Sequence, residues 1–237
     1  MLAASDEAGR GPLAGPVVAS TVAVFTRSLE GVKDCQEFIT FLKEIGVSDS
    51  KKLSAKKRKY ILEKVFPAKL CWDQFIIDLS QKHSPLLLLN NKDSRVMLDV
   101  SFKGPEMIDK INILNASLLA MQDSFINIKE YSPMLLAKNI HWWIDGNRLP
   151  KRAASMPNAQ AVVAGDQKSL LIGLASIFAK ELRDHHMQNL ALLYPGYGLE
   201  KHAGYPTRLH LEAIKDLGPS IIHRKTFRGV KEFANEQ

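Results

Sequence analysis

The chain has 237 residues, 46% hydrophobic and 24% charged, the make-up of an ordinary soluble globular protein and not of a disordered one. Its longest apolar runs, such as Pro85 to Asn90, fall far short of the ~18 residues that a membrane-spanning helix needs, so no membrane partner is expected. A formal net charge of +7 favours polyanionic partners, nucleic acid among them. Two cysteines, Cys35 and Cys71, are too few for a disulfide framework and lack metal-ligand spacing, which makes both packing residues. No basic segment or cleavage site follows Met1, so a cytoplasmic location is the default.

The front end reads as strand, glycine turn, strand: "LAASDE", then the β-branched run Pro16 to Phe25, an antiparallel hairpin. Cys35 to Ile45 is expected to be a helix ending at Gly46, and a second helix begins after the N-cap Ser54, carrying the basic run Lys56 to Lys59. Leu70 to Asp78 and Arg95 to Phe102 are strand-like, with turns between them. Pro105 to Phe125 has helical periodicity, Ile140 to Asp145 is a buried strand, and Leu170 to Leu182 repeats apolar residues at helical spacing. A last helix follows the N-cap Thr207 and stops at Gly218. The pattern predicts an α/β fold, a mixed five-stranded sheet flanked by helices, with a core over 1–190 and a small C-terminal helical subdomain over 191–237.

Three acids fall at the ends of separate core elements: Asp6, Asp145 and Asp166. Taken alone, Asp145 equally fits a turn-forming Asp-Gly pair and Asp166 a helix N-cap. Together they point to one cleft, because strand ends in such sheets face a common crevice. Crowded carboxylates raise one another's pKa unless a cation joins them. Hard divalent ions, Mg²⁺ or Mn²⁺, fit oxygen ligands, and two of them about 3.5–4 Å apart can hold the attacking and leaving oxygens of a phosphodiester. Glu7 joins the set only if the strand breaks at the glycines of "GRG", since consecutive strand residues face opposite ways. Asp184 lies about 27 Å from Asp166 along a continuous helix and is read as a structural ion pair or a cap. The adjacent His185 and His186 make a poor chelating pair and are read as a solvated face.

The segments "DEAGRGPLAGPVV", "DSKKLS", "IDGN", "GDQKS", "ASIFAKELRD", "YPGYGLEKHAGYPT" and "HRKTF", in this order, resemble bacterial ribonuclease HII, the type 2 ribonuclease H. The resemblance implies a ribonuclease H-like sheet, and endonucleolytic cleavage of RNA in RNA–DNA hybrids and 5′ of single ribonucleotides in duplex DNA, leaving 5′-phosphate and 3′-hydroxyl ends. It implies Asp6, Glu7, Asp145 and Asp166 as catalytic, metal-holding acids for two ions. Gly9, Arg10 and Gly11 fall on the loop that reads the ribose 2′-hydroxyl, and Tyr205 on the tyrosine that works with that loop. On spacing alone Tyr205 would be a half-buried loop residue. Ser50, Lys51, Lys168 and Arg224 match positions near the nucleic-acid backbone. Ala203 stands where the family usually has lysine, and the segments near 35–46 and 81–102 look like surface insertions. A monomer without a sliding-clamp peptide before Gln237 is expected. The rival readings are a DNA nuclease of the same fold, which would need no hydroxyl sensor, and a non-catalytic duplex-binding module.

Overall fold

A computed structural model describes residues 1–66, 84–131 and 139–234. Six strands form one mixed sheet in the order β3-β4-β2-β1-β5-β6: β1 (Leu2–Ala8), β2 (Val17–Thr26), β3 (Leu86–Asn90), β4 (Ser94–Lys103), β5 (His141–Asp145) and β6 (Ala159–Val162). Pairing is antiparallel from β3 through β4 and β2 to β1, and parallel from β1 through β5 to β6. Among the described residues the sheet has six strands, four of those expected and two at its edges that the sequence signal misses. Leu86–Asn90, expected as turn, pairs with β4 as a partly exposed edge strand; a run of four leucines carries little β-branched signal. Ala159–Val162 is only four residues long and half exposed. The strand expected over 70–78, together with Cys71, lies outside the described residues.

The helices are α1 (Leu29–Glu44), α2 (Ala55–Val65), α3 (Pro105–Ile111), α4 (Ile113–Tyr131), α5 (Gly165–Lys168), α6 (Leu170–Leu193), α7 (Leu199–His202) and α8 (Arg208–Leu217). Helix α1 begins earlier than expected, at the N-cap Ser28, whose hydroxyl accepts from Gly31 N at 3.1 Å; its first turns are charged and exposed, so apolar periodicity starts only later. The expected long helix after Pro105 is two helices, broken at Asn112, whose φ 64° and ψ 164° are incompatible with continuing the helix. Ser54 and Thr207 cap α2 and α8 as expected.

One sheet face packs Ala4, Val18, Val22, Leu98 and Val100 against α6, α1 and α2. The other packs Ala3, Ala23, Met97 and Trp142 against α4, with Phe125 stacked on Trp142 at 4.0 Å between ring centroids. A buried polar chain runs through this second face. Trp142 Nε1 donates to Ser5 Oγ at 2.8 Å, Ser5 and Thr21 hydroxyls meet at 2.7 Å, Thr21 and Ser124 at 2.6 Å, and Ser124 donates to Met121 O at 3.0 Å. Its donors and acceptors match in one direction only, so it pins Ser5 towards α4 and leaves Ala4 and Asp6 facing α6.

In the segment near 81–102, expected as a surface insertion, the described residues carry β3 and β4; the strand expected over Arg95 to Phe102 is present as β4, which is mostly buried and pairs with β2 over its whole length. Cys35 is buried, as a packing residue should be. The residues after 191 contribute to a separate apolar cluster of Tyr197, Leu199, Ala213, Ile214, Ile222 and Val230, which also takes in Leu13, Ala14 and Met187. The loop between β1 and β2 is thereby gripped by the C-terminal helices. Asp184 pairs with Lys180 at 2.5 Å and Arg58 at 3.7 Å. His186 does not belong to a solvated face: its ring packs edge-on against Phe102 at 5.6 Å, and burial, then the neighbouring Arg183 charge, lowers its pKa to about 4.

Candidate active site

The parallel ladder between β1 and β5 ends with Ser5 opposite Ile144, and Asp6 and Asp145 are the next residue on each strand. The strand carrying Asp6 does not break there, contrary to expectation; β1 keeps pairing with β2 through Ala8 opposite Val18. Only its β5 neighbour stops. Glu7 therefore leaves the opposite face of β1 at a point where β5 no longer walls it off, and it lies within electrostatic range of Asp145 and Lys51. Arg10 pairs with Glu7 at 3.6 Å.

Asp6 is 4% exposed. Burial, then the charges of Glu7 and Asp145, push its carboxyl well above the usual carboxylate range. Its Oδ1 accepts from Glu7 N at 2.6 Å, and the Ser176 hydroxyl of α6 also donates to it. Ser176 Oγ lies 2.8 Å from Ser50 Oγ, so Ser50 serves this hydroxyl chain from within the protein. Burial raises the pKa of Glu7 as well, Arg10 opposing it and Asp145 reinforcing it.

Asp166 enters from α5, which follows Ala164 in the left-handed conformation at φ 53°; that backbone costs an alanine about 1 kcal/mol or more and aims the turn at Asp145. Gly165 N donates to Asp145 Oδ1 at 2.6 Å. A Cβ on Gly165 would stand 3.1 Å from that same oxygen and 2.6 Å from Ile172 Cδ1, so any larger residue there must push the Ile172 side chain aside. Burial, then Asp145, then Asp49, raise the Asp166 pKa.

Asp49 was not among the residues expected at the site. It is 6% exposed, hydrogen bonds with Asp166, accepts from Lys51 N at 2.9 Å and faces Gln167 Nε2 at 3.4 Å. The available signal was its place in "DSKKLS", directly before Ser50 and Lys51. Lys51 itself is exposed and lies close enough to Glu7 and Asp166 to oppose their raised pKa values. Lys168 turns its ammonium onto Val163 O at 2.6 Å. In the basic run of α2, Arg58 is inside the protein, bonded to Glu181 at 2.5 Å and to Leu53 O at 2.7 Å, while Lys56 and Lys59 are exposed.

Among the described residues, no three carboxylate or imidazole side chains stand close enough, as placed, to hold one ion together. The reason is visible in their partners. Asp145 is turned to Gly165 N, Asp166 to Asp49, and Asp6 to Glu7 N and Ser176. Asp145 and Asp6 accept from N–H and O–H donors, whereas the Asp166–Asp49 contact joins two carboxyl groups and needs a proton between them, which is why it raises the Asp166 pKa. The donor set is all oxygen, crowded and short of positive charge, which suits a hard divalent cation and not a thiophilic one.

Beside the acids lies the Gly9-Arg10-Gly11 loop. Two buried arginines hold it from beneath. Arg224 is completely buried and donates to Gly9 O at 2.7 Å, Arg10 O at 3.1 Å and Gly15 O at 3.0 Å. Arg183 donates to Pro16 O at 3.0 Å, Ala14 O at 3.2 Å and Ala203 O at 3.1 Å. Arg224 thus shapes the loop from inside and does not face the cleft. Tyr205 is 39% exposed, and its ring edge lies 3.7 Å from the Cβ position of Gly11. Ala203 occupies the left-handed region at φ 46°, where its short side chain offers no charge.

A mixed sheet whose adjacent strand ends bring Asp6 and Asp145 side by side, backed by a long helix, defines a ribonuclease H-like α/β protein. The likeness extends to solved structures: ribonuclease H2 from Pyrococcus horikoshii OT3 matches with a TM-score of 0.60 at 22% identity, over 99% of this chain and 97% of that one. Bst-RNase HIII in complex with Mn²⁺ matches at 0.63 and 15% identity, over 100% of this chain and 70% of that one. By sequence, Ribonuclease HII of Chlamydia trachomatis serovar D is 37% identical over 235 residues, 99% of this chain and 85% of that protein. The Ribonuclease HII family profile matches residues 3–230. The chain belongs to the ribonuclease HII family and is a ribonuclease H-type endonuclease, a hydrolase.

Proposed function

We propose that the protein cleaves the RNA strand of RNA–DNA hybrids and incises 5′ of single ribonucleotides embedded in duplex DNA, giving 5′-phosphate and 3′-hydroxyl ends. Asp6, Glu7, Asp145 and Asp166 would hold two Mg²⁺ or Mn²⁺ ions. Such ions supply charge stabilisation at the scissile phosphate and lower the pKa of the attacking water. The chain's own residues do the rest. Asp6 and Asp145 are fixed by the end of the β1–β5 ladder, Asp166 by the α5 turn, and Asp49 orients both Asp166 and the backbone of Lys51. Lys51 and Arg10, both exposed beside the acids, offset part of the carboxylate charge and offer contacts to a phosphate. The residues after 191 act as a substrate-binding subdomain that presents Tyr205.

The observation that carries the reading is the ring of Tyr205 lying against Gly11 next to the acids. A sugar seated over this contact meets the aromatic ring and the loop backbone together, and its 2′-oxygen is the feature that distinguishes ribose. The test is a DNA duplex with one ribonucleotide beside its all-DNA counterpart, each with Mg²⁺, Mn²⁺ or EDTA. Incision at the ribonucleotide alone, abolished by EDTA, is expected. Equal cutting of both duplexes would mark a DNA nuclease, and binding without incision a duplex-binding module.

A further inference from the structure

Three histidines pack together behind Tyr205, away from the acids. The rings of His202 and His210 stack at 4.5 Å, and those of His210 and His223 lie 5.3 Å apart. His210 and His223 are 0% and 1% exposed. Such rings must satisfy their nitrogens internally, and the partners fix which nitrogen holds the proton. At one end, Ser220 N–H donates to His223 Nδ1 at 3.0 Å, so His223 carries its hydrogen on Nε2. At the other end, His210 Nδ1 lies 3.0 Å from Tyr205 O; a carbonyl only accepts, so His210 carries its hydrogen on Nδ1 and leaves Nε2 as an acceptor. The two Nε2 atoms are 3.2 Å apart. The assignments reached from opposite ends therefore meet as one donor facing one acceptor. In the same way Gly204 N–H donates to His202 Nδ1 at 3.2 Å, which leaves His202 Nε2–H for Tyr197 O at 3.0 Å.

The chain runs one way: Ser220 N–H to His223, His223 to His210, and His210 to the backbone of Tyr205. Burial lowers the pKa of His210 and of His223 to about 4, in keeping with neutral rings at physiological pH. The other end of the chain touches the loop. Ala14 pairs with His223 as a β-bridge, Arg224 N donates to Leu13 O at 2.8 Å, and the Arg224 guanidinium holds Gly9, Arg10 and Gly15. Adjacent residues thus serve opposite partners, His223 the tyrosine and Arg224 the glycine loop. Leu13 N donates back to Gly204 O at 2.7 Å, closing the circuit next to Tyr205.

We infer that the His223–Arg224 dipeptide is a common mount for both halves of the sugar reader, and that His223 and His210 are positioning residues that set how Tyr205 lies against Gly11 through a hydrogen-bond relay of fixed direction. The inference rests on the proposed role of Tyr205 in reading ribose. Neither histidine touches substrate, so each acts only through Tyr205.

Two measurements on the full chain test this. Nitrogen-15 NMR of the histidine rings in the wild-type protein should show His210 as the Nδ1–H tautomer and His223 as the Nε2–H tautomer; the opposite assignment for either ring overturns the relay. The second is a double-mutant cycle with His223→Phe, which keeps a ring in place but donates nothing, and Tyr205→Ala, read on the single-ribonucleotide duplex. His223→Phe should lower kcat/KM roughly 10- to 100-fold where Tyr205 is present, as misplacement of a positioning group does, and should have little effect where Tyr205 is alanine. An equal loss in both backgrounds overturns the inference. If His223→Phe does not fold, His223→Gln replaces it in the cycle, its amide N–H restoring the donor to His210; activity near wild type is then expected, and a loss that Tyr205→Ala does not absorb counts against the mount. A wild-type enzyme indifferent to ribose would sink the proposed function instead, and the tautomers would still decide the relay.

Discussion

Asp6 and Asp145 sit side by side on neighbouring parallel strands, one residue beyond Ser5 and Ile144, the last pair of the β1–β5 ladder. Ladder hydrogen bonds hold the two backbones together up to that point, so their carboxylates are brought close before any cation arrives. Burial, then the charge of Glu7, then this repulsion from Asp145, raise the Asp6 pKa.

Asp145→Asn should separate chemistry from folding. Asn keeps an oxygen to accept from Gly165 N, which now bonds Asp145 Oδ1 at 2.6 Å, so the α5 turn survives. The charge is lost. Turnover on the single-ribonucleotide duplex should fall about 10³-fold or more, some 4 kcal/mol of transition-state stabilisation, with the melting temperature almost unchanged. Retained turnover would remove Asp145 from the chemistry.

Divalent cations should stabilise the fold, and the effect should grow with pH. A carboxyl whose folded pKa is raised contributes no penalty below its unfolded value, about 3.8 for Asp6, and an increasing one as pH rises through the folded value. In EDTA, Asp6, Glu7 and Asp166 therefore lower stability as pH climbs above about 4. Mg²⁺ at a hundredfold excess over its Kd should recover about 2.7 kcal/mol. Calorimetry with and without Mg²⁺ across this range checks the sign. Asp6→Asn should melt higher than wild type in EDTA and gain less from Mg²⁺.

Acid should loosen the C-terminal helices by a separate route. His210 and His223 have ordinary pKa values of 6.5 lowered to about 4, so the unfolded chain takes up protons that the folded rings refuse. Their contribution is complete above pH 6.5 and is lost as pH falls towards 4, on the order of 3 kcal/mol for one member of the coupled pair. Hydrogen exchange at pH 4.5 should rise first in α8 and the Ser220–His223 turn. Uniform exchange over the whole chain would contradict a local origin.

Gly9→Ala should damage the loop without touching a carboxylate. Gly9 has φ +97°, and a Cβ there would stand 2.2 Å from Arg183 Nε and 2.9 Å from Pro16 O. Displacing a buried guanidinium that donates to three carbonyls should cost about 2–4 kcal/mol. Chemical denaturation measures it, and a loss below 1 kcal/mol would mean that Arg183 moves freely.

Much of the site was legible locally. Asp145 ends an apolar strand, Asp166 precedes a long apolar helix, and "DEAGRG" interrupts a β-rich front end; each is a break in pattern that a linear reading detects. Asp49 was missed because, apart from its place beside Ser50 and Lys51, it reads as a turn-forming Asp, and only the approach of α5 puts Asp166 beside it. The edge strands β3 and β6 were missed because edges are short and half exposed, which weakens the alternation that marks a strand.

Arg224 shows the same division most clearly. Its basic side chain near "HRKTF" reads as a phosphate contact, since charge is ordinarily exposed. Packing instead buries it against the carbonyls of Gly9, Arg10 and Gly15. The sequence by itself determined which elements form and which acids end them, because periodicity, caps and glycine turns act over a few residues. Only the tertiary structure decided which side chains meet, which arginine is hidden and which way the histidine relay runs, because those depend on contacts between residues far apart in the chain.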